Sequence, residues 1–167
     1  MQDVKKSSLK KIKVIFFDVD GVFTNGQLHY FSNGDEAKSF NSLDGLGLIL
    51  LKQLGIRPVI ITARDSKIVE KRFKELEIED VYQGVLNKRN FVLSYLKNNN
   101  FLKIEAAFAG DDLPDLYAFS AVGTSFAPSN ASSLVKSKAS IITIAEGGHG
   151  AVREICDLLM QVRSASP

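Results

Sequence analysis

The stretch Val14-Ile15-Phe16-Phe17-Asp18-Val19-Asp20-Gly21-Val22 constrains this chain more than any other. Four β-branched or aromatic residues run into two aspartates spaced i, i+2 and then a glycine. A run this short and this apolar predicts a buried strand rather than a helix. Strand side chains alternate, so Asp18 and Asp20 share a face if the strand continues. Gly21 predicts a turn, which leaves both carboxylates at the carboxyl end of the strand. In open α/β sheets that edge is where ligands bind. An Asp-x-Asp pair alone is ordinarily a solvated surface feature. Directly behind a buried strand it points to a task.

Downstream, strand and helix patterns alternate. Asn33-Gly34, set between short stretches with Leu28, Tyr30 and Phe40, predicts a β-hairpin over about residues 27–40. Helices are expected from Asp44 to Leu54, after Asp65-Ser66, from Lys88 to Lys97, from Leu113 to Ser120 and from Ala151 to Val162. Strands are expected from Arg57 to Thr62, Val81 to Gln83, Ala106 to Gly110, Thr124 to Ala127 and Ile141 to Ile144. This alternation implies a single α/β domain, a Rossmann-like parallel sheet flanked by helices, spanning residues 1–167. A frayed basic arm is expected over about residues 1–11. The net charge of +2 gives no electrostatic case for nucleic acid or a membrane surface as partner. The single cysteine, Cys156, lies on an apolar helical stripe and is read as structural. No stretch approaches the ~20 apolar residues of a membrane helix, and a soluble cytoplasmic protein is expected.

The chemistry-bearing residues fall at strand ends. Asp18 and Asp20 follow the first strand, and Thr62 ends a later one. Lys88 opens a helix, and Asp111, Asp112 and Asp115 follow Ala106–Gly110. Parallel strands bring such ends to one rim. Taken singly, Thr62 reads as a strand-end hydroxyl, Lys88 as a solvated helix residue and Asp111 as a helix cap.

In this order the set Asp18-Val19-Asp20-Gly21-Val22, Thr62, Lys88 and Gly110-Asp111-Asp112-Leu113-Pro114-Asp115 resembles the haloacid dehalogenase superfamily of phosphatases. The resemblance implies that Asp18 is the nucleophile and Asp20 the acid/base. It also implies that Thr62 and Lys88 hold the phosphoryl group. Four aspartates would repel a phosphate dianion by about 4 kcal/mol per pair at 4 Å and a dielectric of about 20. A divalent cation is therefore expected, and all-oxygen ligands suit Mg²⁺. It is placed on Asp18, Asp111 and, as the family implies, the backbone carbonyl of Asp20. Asp112 and Asp115 are expected behind them, orienting Lys88 and metal-bound water.

Neither the 26–57 nor the 65–87 stretch has room for a cap domain. Phe40–Gly45, Thr62-Ala63-Arg64, Arg72, Tyr82-Gln83-Gly84 through Lys88, and Gly147–Glu154 look like the capless 3-deoxy-D-manno-octulosonate 8-phosphate (Kdo 8-phosphate) phosphatase family. That resemblance implies a homotetramer acting in lipopolysaccharide precursor synthesis, with a small sugar-acid phosphate as substrate. Asp20, Asn41, Ser42, Leu43, Asp44, Gly45, Arg64, Arg72 and Lys88 would contact the sugar acid. Arg suits its carboxylate through a planar fork of donors. Ala63 stands where the family usually has glycine, and Leu43 where some members carry arginine. Nine-carbon, sialic-acid-type sugar phosphates are the alternative substrates. A receiver-like signalling module is the alternative of another class, and it lacks a counterpart to Asp20. Arg153-Glu154 is read as a local ion pair, His149 as solvent-facing, and His29 as facing solvent or another subunit.

Overall fold

The computed structural model describes residues 3–164, with side chains from Ser7 on. The chain opens with helix α1 (Asp3–Lys10) and strand β1 (Val14–Phe17), then a two-strand ladder of β2 (His29–Tyr30) and β3 (Glu36–Ala37). Next come α2 (Ser42–Gln53), β4 (Arg57–Ile61), α3 (Lys67–Glu75), β5 (Val81–Tyr82) and α4 (Lys88–Asn98). The chain finishes with β6 (Ala106–Ala109), α5 (Leu113–Phe119), β7 (Thr124–Ala127), α6 (Ser133–Lys138), β8 (Ile141–Ile142) and α7 (Ala151–Ser164).

Among the described residues the main sheet has six strands, ordered β5-β4-β1-β6-β7-β8 and all parallel. Strand β1 is held on both sides, Phe16 lying opposite Val59 of β4 and Phe108 of β6. With both edges paired and both faces covered, it needs the continuous apolar run that the sequence supplies. Alternation then sorts its side chains. Ile15 and Phe17 join a core with Leu48, Leu51, Phe73, Ile155, Cys156 and Leu159, from α2, α3 and α7. Val14 and Phe16 join the opposite core with Val92, Tyr95 and Ala118, from α4 and α5. Cys156 is buried in the first core, and burial pushes its thiol well above the usual range.

Only the hairpin lies between β1 and α2, and only α3 and β5 between β4 and α4, so no cap covers the carboxyl edge of the sheet. Three local expectations need correction, and one helix had none. The basic stretch is not a frayed arm from Asp3 on: it is helix α1, anchored by Leu9 and by Ile12 just beyond it, both buried. Met1 and Gln2 lie outside the described residues. Helix α2 starts at Ser42 because the Asn41 side chain accepts a hydrogen bond from Leu43 N at 2.9 Å, capping the first turn. Residues 133–138 form α6, for which the pattern had no expectation. Strand β8 ends at Ile142, since Ile144 N and Ala145 N donate to the Glu154 carboxylate rather than to a neighbouring strand.

Candidate active site

The last ladder bond of β1 places the first carboxylate: Asp18 N donates to Ala109 O at 3.0 Å, just where β1 and β6 end. Asp111 and Asp115 follow β6, and Lys88 opens α4 behind β5. The parallel sheet brings these residues together. Lys88 Nζ lies 2.8 Å from Asp18 Oδ1 and 2.6 Å from Asp115 Oδ1, with its side chain only 3% exposed. Asp115 Oδ2 accepts from Asp111 N at 3.0 Å, so one buried carboxylate holds both the lysine and the start of the acidic turn. Lys88 is thus held by Asp115 as well as by Asp18. Asp112 is exposed at the head of α5, and its charge acts on Asp111 instead.

Oxygens of Asp18, Asp111 and Asp115 lie within 4.8 Å of one another. Three carboxylates face one ammonium, and the imbalance bears on Asp18 and Asp111. Burial, then the Asp115 charge, push Asp18 up to about 7 against the opposing pull of Lys88. Burial, then Asp18, Asp115 and Asp112, push Asp111 up to about 8. Burial works against the charge on Lys88, but Asp18 and Asp115 outweigh it and raise its pKa. Hard oxygen donors clustered with unbalanced negative charge fit a divalent cation of the Mg²⁺ type. Gly21 keeps the room for this arrangement. Its φ is +87°, and a Cβ there would fall 2.0 Å from Asp111 Oδ2.

Thr62 is buried just past β4, and its hydroxyl oxygen accepts from Arg64 N at 3.3 Å, leaving its proton to donate elsewhere. Asp20 faces away from that ammonium toward the hairpin. Its Oδ1 accepts from Lys38 Nζ, and its Oδ2 lies 3.7 Å from Arg64 Nε. Glu36 ties the two cations together, 3.3 Å from Lys38 Nζ and 3.1 Å from Arg64 Nη2, and Tyr30 OH stands 3.3 Å from the same Nη2. The sequence reading missed Lys38 and Glu36. Their spacing of two at β3 is the signal that puts both on one face of the strand, here the face folded over Asp20.

The remaining expected sugar contacts gather around the start of α2. Asn41 uses its side chain as the helix cap, while its carbonyl accepts from Arg72 Nη2 at 3.4 Å. The Arg72 guanidinium lies over the Phe40 ring at 5.8 Å, with Gly45 buried beneath it. Asp44 is 1% exposed, and its Oδ1 accepts from Arg153 N at 2.8 Å, tying α2 to α7. Ser42 and Leu43 are exposed. Arg153 and Glu154 do not pair: Arg153 meets Asp157 at 2.7 Å, and Glu154 caps the 144–145 peptide groups. His29 and His149 are exposed, as expected.

Paired aspartates behind the central strand, a threonine behind its neighbour, a buried lysine and a second acidic turn, all on one edge of a capless parallel sheet, define a haloacid dehalogenase-type hydrolase. A family profile for haloacid dehalogenase-like hydrolases matches residues 78–155. The chain is 38% identical over 161 residues to the Kdo 8-phosphate phosphatase of Haemophilus influenzae, covering 96% of this chain and 89% of that one. Among solved structures, the Kdo 8-phosphate phosphatase of Moraxella catarrhalis, in complex with magnesium, phosphate and Kdo, is 38% identical. It superposes with a TM-score of 0.93 over 97% of this chain and 93% of that one. The cobalt-bound Haemophilus influenzae enzyme is 39% identical, with a TM-score of 0.90 over 94% and 92%. This chain thus belongs to the Kdo 8-phosphate phosphatase family.

Proposed function

We propose that this protein is a Mg²⁺-dependent phosphatase that hydrolyses Kdo 8-phosphate to free Kdo and phosphate, in the cytoplasm, for lipopolysaccharide precursors. The observation that carries the reading is Lys88, buried and shared by Asp18 and Asp115 beside Asp111. That arrangement leaves Asp18 open to attack phosphorus and to form an aspartyl-phosphate, while the alkoxide of the sugar departs. Asp20 gives that oxygen its proton, then takes one from the water that cleaves the phospho-enzyme. Thr62 donates its hydroxyl proton to a phosphoryl oxygen, and Lys88 offsets charge developing on the phosphoryl group. Asp18, Asp111 and the Asp20 carbonyl would hold Mg²⁺, with Asp115 steadying the Asp111 turn. When bound, the cation neutralises phosphate charge that the carboxylates would otherwise repel.

Arg64, next to Asp20, together with the exposed Ser42 and Leu43 and with Arg72 beside the α2 start, would take the sugar acid. Asn41, Asp44 and Gly45 shape that α2 start. The capless edge calls for a neighbouring subunit, and the hairpin offers Leu28, Tyr30 and Phe31 at 44%, 65% and 57% exposure, which supports a homotetramer built on hairpins. No helix among the described residues is long and apolar enough to cross a membrane. A panel of sugar phosphates assayed with Mg²⁺ and with chelator tests the reading. Phosphate released fastest from Kdo 8-phosphate, and lost with chelator, is expected. Preference for a nine-carbon ester would move the assignment to sialic-acid-type substrates, and turnover unaffected by chelator would remove the metal.

A further inference from the structure

The Gly147-Gly148-His149-Gly150 segment and Glu154 are a sequence feature to which the proposed chemistry gives no task. Their geometry supplies one. Ile144 N and Ala145 N donate to the two carboxylate oxygens of Glu154, each at 2.9 Å. Gly147 N donates to Asn130 Oδ1 at 2.9 Å, and Ser129 N to Ala145 O at 3.2 Å. Glu154 stands in the first turn of α7, where the helix dipole attracts a negative charge. The 144–147 backbone is therefore gripped by α7 on one side and by the 129–130 turn on the other.

The opposite side of this loop presses on the turn that follows Asp20. A Cβ on Gly147 would fall 1.8 Å from Gly21 O, and one on Gly148 would fall 2.6 Å from Asn25 N. Gly148 N also donates to Val22 O at 3.0 Å. Gly21 meets the Asp111 side chain on its own Cβ side. The Gly21–Asn25 turn is thus clamped between the second acidic turn and the glycine loop. Two adjacent glycines are needed because side chains at 147 and 148 would collide with backbone atoms, which cannot swing away as a flexible side chain can.

We propose that Glu154 is a positioning residue for the hydrolysis: through the 144–148 loop it fixes the turn after Asp20, and with it the carboxylate that protonates the leaving alcohol. The kinetic part of this inference rests on the phosphatase reading, whereas the structural part does not. Its test uses Glu154→Ala, Glu154→Gln and Asn130→Ala in the full chain, with two readouts. Amide hydrogen exchange reports how firmly the loop holds the turn, at Gly148 and at Val22, Phe23 and Thr24, whose amides donate to Val22 O and Val19 O. The second readout is kcat/KM for Kdo 8-phosphate against p-nitrophenyl phosphate, whose leaving group departs without a proton.

For Glu154→Ala, exchange at these amides should rise about tenfold or more, and kcat/KM for the sugar ester should fall about tenfold, as expected of a small misplacement of a reacting group. The loss on the aryl ester should stay under about threefold, because its kcat/KM does not depend on acid catalysis. Glu154→Gln, which retains a carbonyl acceptor, should recover most of both. Unchanged exchange, or equal losses on the two esters, would overturn the proposal, since a merely structural role lowers both alike. If Glu154→Ala does not fold, Asn130→Ala, which removes one hydrogen bond, is held to the same two criteria. If wild-type protein cleaves neither ester, the phosphatase reading fails while the exchange result still decides whether Glu154 holds the turn.

Discussion

Lys88 reaches Asp18 and Asp115 at 2.8 and 2.6 Å from an enclosed side chain, so its charge and theirs depend on one another. Breaking a buried pair leaves an uncompensated charge, so Lys88→Met should destabilise the protein by about 3 kcal/mol at pH 8, read by urea unfolding. It should also lower kcat about 100-fold or more, the usual size of a lost charge-stabilising donor. The acids predict a pH dependence of their own. Asp18 and Asp111 hold their protons up to about 7 and about 8, against 3.8 ordinarily. Between the unfolded and folded pKa values the native state binds more protons than the unfolded state, so stability falls as pH rises. Melting temperature in chelator should therefore drop from about pH 4 to about pH 8 and then level off. With Mg²⁺ the decline should flatten, because the cation stabilises the ionised carboxylates. The sequence brought out Asp18, Asp111 and Lys88 because each follows a strand or opens a helix, and Asp115 because it stands in the first turn of the helix behind Asp111. It did not show Lys38 meeting Asp20, because that contact depends on how the hairpin folds back.

Helix α2 is organised from its first turn. Asn41 caps it, Asp44 ties it to Arg153 N of α7, and Gly47 packs against Cys156 of the same helix. Asn41→Ala should cost about 1 kcal/mol of stability, the usual cost of losing a helix cap, measured by urea unfolding. A loss in sugar-ester kcat/KM beyond that expected from stability would mark Asn41 as a substrate contact as well. Such capping is short-range, yet the expected start fell at Asp44, because Asn41, Ser42 and Asp44 are all residue types that cap helices. Glu154 was harder to read. Beside Arg153 in the sequence it looks like an ion pair, and only the path of the 144–145 backbone gives it other partners. The parallel sheet and the alternating layers were legible because β1, β4 and β6 carry continuous apolar runs that suit strands covered on both faces, whereas the strand order emerged only from the structure. Helix α6 has one buried position, Val135, too few to set up a helical period.

For the molecule as a whole, the capless edge leaves Asp18, Asp20 and Lys88 on one sheet margin next to a hairpin with Leu28, Tyr30 and Phe31 exposed. If the proposed tetramer is built on the hairpin, Leu28→Asp combined with Phe31→Asp should yield smaller species, read by sedimentation velocity, and should raise KM for the sugar ester more than it lowers kcat. An unchanged mass would remove the hairpin from the subunit contact, and a fully active monomer would remove the shared site. The account as a whole turns on a division of labour between two carboxylates, in which Asp18 takes the phosphoryl group and Asp20 moves the protons. Mass spectrometry of Asp20→Asn protein after brief exposure to Kdo 8-phosphate and Mg²⁺ tests this most directly. The account predicts a phosphoryl group trapped on the peptide carrying Asp18, with turnover nearly abolished. Turnover at the wild-type rate, or phosphate carried on a peptide without Asp18, would contradict it.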